Sequence, residues 1–439
     1  MSAGFLRIVF YTVIVLAPLL LAALYKPATD NGFLYEVGRG FALISFMVLN
    51  FQPLLASRFK WIERPFGLDI VIRHHKYMAV FATLLLISHP LLLSTGKKGL
   101  SIIIGTDVPW PVWLGRIAIV VLLVNMFFNF SSMRGRIRFD AWRNIHDLLG
   151  PLLLVLIFVH SFFQGGDLKI KQMELLWGLV SGVAVSVFVY HRLVRPLLLR
   201  RHAYNVIEVR QETRDVWTIT LAPPEGIKRY DYLPGQFQFL TFFRDKGLPV
   251  EEHHWTISSA PGGGRYVSST IKELGDFTST IGKTKPEDTA AVHAPFGRFS
   301  YVLHPEERDL VFIAGGIGIT PLMSMLRHMR ETQSELPVLL LYANRSEEDI
   351  VFRSELQEIE ADGHPRLKIV HVLSGAGEGW AGEAGYIDNE KIDSYCGSSA
   401  GKAFYLCGPA GLIDGVIRIL KARGVPDNNM HKEIFSFVG

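Results

Sequence analysis

Cysteine is scarce in this chain: among 439 residues only Cys396 and Cys407 occur, both in the C-terminal half. Two thiols so placed exclude a disulfide framework. Repeats and low-complexity tracts are missing as well, which leaves ordinary domains, two or three at this length. Charged residues make up 20% of the chain, and they vanish from six stretches before about residue 195: Ile8–Tyr25, Gly40–Ser57, Tyr77–Gly96, Ile117–Met133, Leu148–Gly166 and Leu175–His191. The net charge of +4 would suit a polyanion. The basic residues flank these apolar runs, however, so membrane lipid headgroups and not nucleic acid are the expected partner.

What is abundant is hydrophobicity, at 49% of residues with a mean hydropathy of +0.25. Each charge-free run approaches the ~20 residues that a spanning helix needs. Six in series cannot be buried core helices of one soluble domain, and they predict a six-helix all-α transmembrane bundle over residues 1–199. Basic residues set its orientation. Arg58, Lys60, Arg64, Arg73 and Lys76 fill the second loop, Arg134, Arg136, Arg138 and Arg143 the fourth, and Arg192, Arg195, Arg200 and Arg201 follow the last span. The opposite loops hold fewer, among them Lys26, Lys97, Lys98, Lys169 and Lys171. Both termini are therefore expected in the cytoplasm of a cell with this protein in its inner membrane. Arg7 ahead of the first run, with Ala22 and Ala23 near its end, also fits a signal peptide; its removal would leave the orientation of the rest unchanged.

Four histidines interrupt the apolar runs. His75 and His89 lie fourteen residues apart on the third span, and His146 and His160 repeat that spacing on the fifth. Fourteen residues are close to four helical turns, so each pair shares a face with members about 21 Å apart along the axis. Ionisable side chains inside a bilayer are costly and usually functional. Two such helices side by side can hold two stacked b-type haems, His75 with His146 and His89 with His160. No Cys-x-x-Cys-His run is present, so these haems carry no thioether links. His74 is turned off this face, and His191 ends the last span without a partner at haem spacing. Arg39 opens the second span on the outer side, where it is either an acceptor-site residue or a snorkelling anchor.

After Arg201 the texture changes. Val206–Val209, Val216–Leu221, Gln236–Phe243, Trp255–Ser258 and Tyr266–Ile271 read as strands of an antiparallel barrel, assigned here to residues 200–305. A linker around Leu303–Arg308 precedes strand–helix alternation over 306–439. Its pieces are strand Leu310–Ala314, a turn Gly315-Gly316-Ile317-Gly318-Ile319-Thr320-Pro321, helix Leu322–Arg330, strand Val338–Tyr342, helix Val351–Ala361, strands Lys368–Leu373 and Ala403–Cys407, and helix Gly411–Arg423. This order predicts a doubly wound parallel sheet whose glycines let the backbone approach a pyrophosphate.

His253-His254-Trp255-Thr256-Ile257-Ser258-Ser259 resembles the His-Pro-Phe-Thr-x-Thr-Ser segment of the NADPH oxidase and ferric reductase superfamily. Gly275-Asp276-Phe277-Thr278 is similar to that family's Gly-Asp-Trp-Thr, Cys407-Gly408-Pro409 to its Cys-Gly-Pro, and Glu433-Ile434-Phe435 to its acidic-x-aromatic terminus. The match runs over nearly the whole chain in family order. It implies that His253, Trp255, Thr256, Ser258 and Lys272 contact FAD, with the Gly275, Phe277 and Thr278 turn on its pyrophosphate and the Thr256 hydroxyl near the reactive flavin nitrogen. It further implies that Pro295 and Gly297 lie beside the nicotinamide. Gly316, Gly318, Thr320, Gly408 and Pro409 would line the nucleotide site, and Cys407 the hydride-transferring carbon. Phe435 would cover the flavin and move for nicotinamide to stack. Arg345 falls where the family reads the 2′-phosphate of NADPH, with Glu347, Glu348 and Asp349 close by.

The function implied by that resemblance is a transmembrane NAD(P)H-dependent oxidoreductase. Electrons pass from NADPH through FAD and two haems to an extracytoplasmic small-molecule acceptor, a ferric or other metal chelate or oxygen. Two rivals stand beside it: a membrane-anchored flavoprotein reductase serving a partner protein without a haem wire, and a haem-handling membrane protein whose reductase domain serves another step. Any accessory subunit is unread from the sequence.

Overall fold

The computed structural model describes residues 3–25, 32–130, 139–164 and 166–434. Lys26, Arg134, Arg136 and Arg138, used above for orientation, and Phe435, the expected flavin cover, lie outside the described residues. The chain divides into two compact units, one up to Arg195 and one from Pro196 onward.

The first unit is helical: α1 (Ala3–Tyr25), α2 (Phe33–Ala56), α3 (Lys60–Phe66), α4 (Leu68–Leu93), α5 (Ser101–Ile104), α6 (Trp110–Phe130), α7 (Phe139–Gln164) and α8 (Lys171–Val189). Among the described residues six helices are long and apolar enough to cross a membrane. They start earlier than the charge-free runs. Arg73 and Lys76, expected in a loop, lie in the first turns of α4. The last span continues through a π turn, Tyr190–Val194, and then α9 (Arg195–Arg201). Long basic side chains tolerate this because they reach polar surroundings while their stems stay apolar.

Some hydroxyls within the spans bond back to their own helix. Ser45 donates to the Phe41 carbonyl at 2.7 Å and Thr83 to that of Ala79 at 2.7 Å, as a lipid environment demands. The core of this unit centres on Trp177 of α8. Its ring stacks on Phe46 of α2 at 4.3 Å, and its indole N–H donates to Ser161 Oγ of α7 at 3.0 Å.

The second unit holds two sheets. The first is antiparallel and comprises β1 (Tyr204–Thr213), β2 (Val216–Ala222), β3 (Phe237–Phe243), β4 (Glu252–Thr256), β5 (Val267–Lys272) and β6 (Thr289–Phe296), in the order β4-β3-β6-β1-β2-β5. The fourth strand ends earlier than the sequence suggests, because Ile257 bonds back to the Gln236 carbonyl while Ser258 crosses to that of Ser268. The second sheet is parallel. It comprises β7 (Leu310–Gly315), α10 (Ile319–Glu331), β8 (Pro337–Asn344), α11 (Arg353–Asp362), β9 (Arg366–Leu373), β10 (Glu383–Ala384), α12 (Asn389–Cys396), β11 (Ala403–Gly408), α13 (Ala410–Ala422) and β12 (Met430–Ile434). The strand order β10-β9-β8-β7-β11-β12 reverses direction between β7 and β11. A crevice at the carboxyl ends of those two strands is where open α/β sheets bind ligands.

Candidate functional site

On the antiparallel sheet, β4 sets His253 and Trp255 on one face and Thr256 on the other. The His253 ring packs on Phe277 with centroids 4.4 Å apart, and Trp255 lies 5.9 Å from the same ring. His253 Nε2 is 2.9 Å from Glu251. Phe277, buried within the Gly275–Thr278 turn, carries the Arg244 guanidinium 4.9 Å from its ring. That arginine is fixed by the carbonyls of Thr280 and Pro249 at 2.9 and 3.1 Å. Burial lowers its pKa below the usual guanidinium range, though nearby Asp288 and Glu251 oppose this. Arg244 was missed from the sequence, where its one signal is a lone arginine just after a strand of phenylalanines.

The two hydroxyls singled out on this segment differ. Ser258 is spent on the sheet, against Thr270 Oγ1 at 2.9 Å and the Ser268 carbonyl at 3.3 Å. Thr256 is 4% exposed and its Oγ1 has no hydrogen-bond partner among the described residues. A buried orphan hydroxyl costs about 1–3 kcal/mol, so a bound group that completes it is the economical explanation, and a flavin edge has the acceptors to do so. Lys272 is paired with Asp215 at 3.2 Å. Thr278 Oγ1 accepts from the Leu274 N–H at 2.6 Å and so closes its own turn.

At the switch point of the parallel sheet, a Cβ on Gly318 would come within 2.3 Å of the Cys407 carbonyl and 2.8 Å of Gly408 Cα. Only glycine lets the turn after β7 lie this close to the end of β11. Gly316 is left with open space where a side chain would stand, and Tyr342 holds its carbonyl at 3.2 Å. Tyr342 is a second positioning residue missed from the sequence. The Thr320 hydroxyl returns to the Ile317 carbonyl at 3.1 Å. The Cys407 thiol is fully buried, and burial together with Glu433 pushes its pKa well up; it is a neutral, close-packed wall. Pro409 precedes α13 as its N-cap. Gly297, at φ +94, accepts from Gln236 Nε2 at 2.8 Å and follows Pro295 beside the Phe237 ring.

Beyond β8 and β9 lies a cavity of about 560 Å³ lined in part by Ser346, Glu347, Glu348, Arg353 and Trp380. Arg353 is paired with Glu347 at 2.5 Å. Arg345 is exposed at its edge, and its carbonyl accepts from Gly375 N at 2.8 Å. The two sheets are joined by α10. Ser324 Oγ donates to the Ser259 carbonyl at 2.7 Å, and Arg327 donates to that of Ser258 at 2.6 Å while gripping Glu355 at 2.7 and 2.6 Å. The helix that starts at the glycine turn is thereby fastened to the segment that follows Thr256.

In the helical unit, His75 and His146 face one another with ring centroids 6.2 Å apart and planes at 75°. His146 Nδ1 lies 2.9 Å from Asn125 Oδ1, His89 Nδ1 lies 2.9 Å from the Gly38 carbonyl, and His160 Nδ1 lies 2.6 Å from that of Pro111. Gly115 allows the last approach, since a Cβ there would meet the His160 ring at 2.7 Å. Arg39 is ion-paired with both Glu36 and Asp167, which makes it a neutralised anchor between α2 and the turn before α8.

A family model described as ferric reductase like transmembrane component matches residues 40–157, and one described as oxidoreductase NAD-binding domain matches residues 312–418. The glycine betaine monooxygenase reductase subunit of Pseudomonas aeruginosa (strain UCBPP-PA14) is 31% identical over 239 residues, 54% of this chain and 64% of that protein. The chain thus spans less than two thirds of that relative's length. One of the subunits of the 1,2-phenylacetyl-CoA epoxidase of Escherichia coli (strain K12) is 30% identical over 54% of this chain and 68% of its own length. Among solved structures, the FAD/NAD-binding domain of a nitric oxide dioxygenase from Vibrio cholerae O1 biovar El Tor matches at 25% identity and a TM-score of 0.48, over 53% of this chain and 98% of that one.

Proposed function

Because the chain belongs to the family that joins a ferric-reductase-like transmembrane component to an FAD/NAD(P)H reductase module, we propose that it is a membrane-held flavoprotein oxidoreductase drawing electrons from NAD(P)H. The observation that carries this reading is the buried hydroxyl of Thr256, unpartnered among the described residues, on the strand that also carries His253 and Trp255 against Phe277. When bound there, FAD supplies the conversion of a two-electron hydride donor into single electrons. The protein's part is placement. Phe277 and Trp255 offer apolar faces, Thr256 a donor, and the Gly316–Gly318 turn and Gly408 a backbone surface for the dinucleotide. Buried Cys407 keeps water from the crevice floor, and α10 locks both halves in register. Arg345 at the cavity edge supports NADPH as the donor, against the carboxylates of Glu347 and Glu348.

The Pseudomonas relative is a reductase subunit, and it matches about half of this chain. This favours the plainer form of the reading, a tethered reductase passing electrons to a partner. The histidines support a finer form, in which His75 with His146 and His89 with His160 each hold one haem. The His75 and His146 rings, with centroids 6.2 Å apart, leave room between them for a metal ion that both would hold. Oxygen acceptors at Nδ1 favour the tautomer with its proton there, which leaves Nε2 free as a ligand. Haem held this way supplies one-electron transfer towards an extracytoplasmic acceptor, with oxygen and a ferric chelate equally compatible. The loop arginines and lysines support cytoplasmic termini. Pigment analysis of the purified full chain separates the two forms: the haem form requires one FAD and two haems per chain, falling to about one haem in His89→Ala, whereas FAD without haem leaves the tethered reductase.

A further inference from the structure

A cluster outside the flavin and nucleotide crevice has the composition of a metal site. The turn after Ser300 brings His304 and Glu307 to one side, closed by Glu307 N donating to the His304 carbonyl at 3.1 Å. Strand β12 pairs with β11 so that His431 lies beside Tyr405. The His431 ring packs at a tilt against both His304 and Tyr405, at 4.2 and 4.5 Å between centroids. One ligand atom from each of His304, Glu307 and His431 lies within 4.8 Å of the others.

We propose that His304, Glu307 and His431 bind a divalent transition-metal ion of the zinc class. Two imidazoles and a carboxylate are a recurrent donor set for such ions, with a fourth position left to water. Three features support a built site. The side chains of Glu307 and His431 are 10% and 15% exposed, sheltered yet open enough for an ion to enter. The carboxylate is pre-oriented, since Tyr405, itself fully buried, donates to Glu307 Oε2 at 2.6 Å and leaves Oε1 turned to His431 Nε2. Such outer partners fix ligand geometry in metal sites. The ligands also come from two segments far apart in the chain, the turn of His304 and Glu307 and the strand of His431, so the ion has a structural task. In the metal-free protein His431 and Glu307 share a hydrogen bond at 2.6 Å. The ion replaces that bond, releasing the proton from His431 where the imidazole carried one. It then ties the linker ahead of β7 to the strand that ends at Ile434.

The test uses untagged, chelator-treated full-length protein, with zinc titrated calorimetrically and cobalt as a spectroscopic probe. The expected result is one equivalent of zinc bound with a rise in thermal midpoint, and cobalt bands of low-coordinate nitrogen and oxygen ligation. Both are lost in His304→Ala, a change in a partly exposed linker that spares the sheets. Tyr405→Phe, which keeps the ring, weakens binding about tenfold or more. Absence of stoichiometric zinc in the wild type, or undiminished binding in His304→Ala, overturns the proposal. Flavin reduction by NADPH is read separately, so failure here leaves the oxidoreductase reading standing.

Discussion

Thr256 carries an energetic cost that the described residues do not recover: a buried hydroxyl without a partner among them. Thr256→Val keeps the volume and removes the orphan. Stability should therefore hold or rise by up to about 1–3 kcal/mol, while flavin reduction by NADPH slows about tenfold or more, equivalent to about 1.4 kcal/mol of barrier. Thermal midpoints and stopped-flow rates check the two halves, and a variant slowed only because it is unstable would contradict the assignment. Arg345 stands at the rim of a cavity that also holds Glu347 and Glu348. Arg345→Ala should raise the Michaelis constant for NADPH much more than for NADH. Equal effects would reduce it to a solvated loop arginine.

At the scale of elements, α10 does the joining. Its first turn faces the crevice, and two turns later Arg327 reaches Ser258 and Glu355. Arg327→Ala removes three hydrogen bonds in a partly exposed setting, so a loss of about 1–2 kcal/mol is expected. Catalytic slowing should accompany it although no flavin-facing group has changed. Turnover measured below the lowered thermal midpoint checks this. The same scale shows what the sequence could yield. Strong periodicity revealed β1, β2, α10 and α13. It failed for β6, whose Thr289–Phe296 run is broken by alanines and a proline, and for β12, whose His431-Lys432-Glu433 is polar because it lies on an edge. The four histidines were legible because fourteen residues is a helical repeat. The carbonyls of Gly38 and Pro111 that orient two of them were not, since they come from other helices some fifty positions away. Charge-free runs located the spans but shortened them, because Arg73 and Lys76 continue α4 beyond its apolar stretch.

For the whole molecule, a helical unit with six helices long and apolar enough to cross a membrane and a two-sheet reductase unit share one chain, as the proposed membrane-held oxidoreductase requires. The most direct test is an anaerobic titration of the detergent-solubilised full chain with NADPH, followed by visible absorption. One FAD per chain is the expected result, bleached by one equivalent of NADPH in the haem-free form and by a second equivalent where two haems take the first two electrons. Folded protein that retains no flavin, or flavin that NADPH and NADH both leave oxidised, would contradict the oxidoreductase reading.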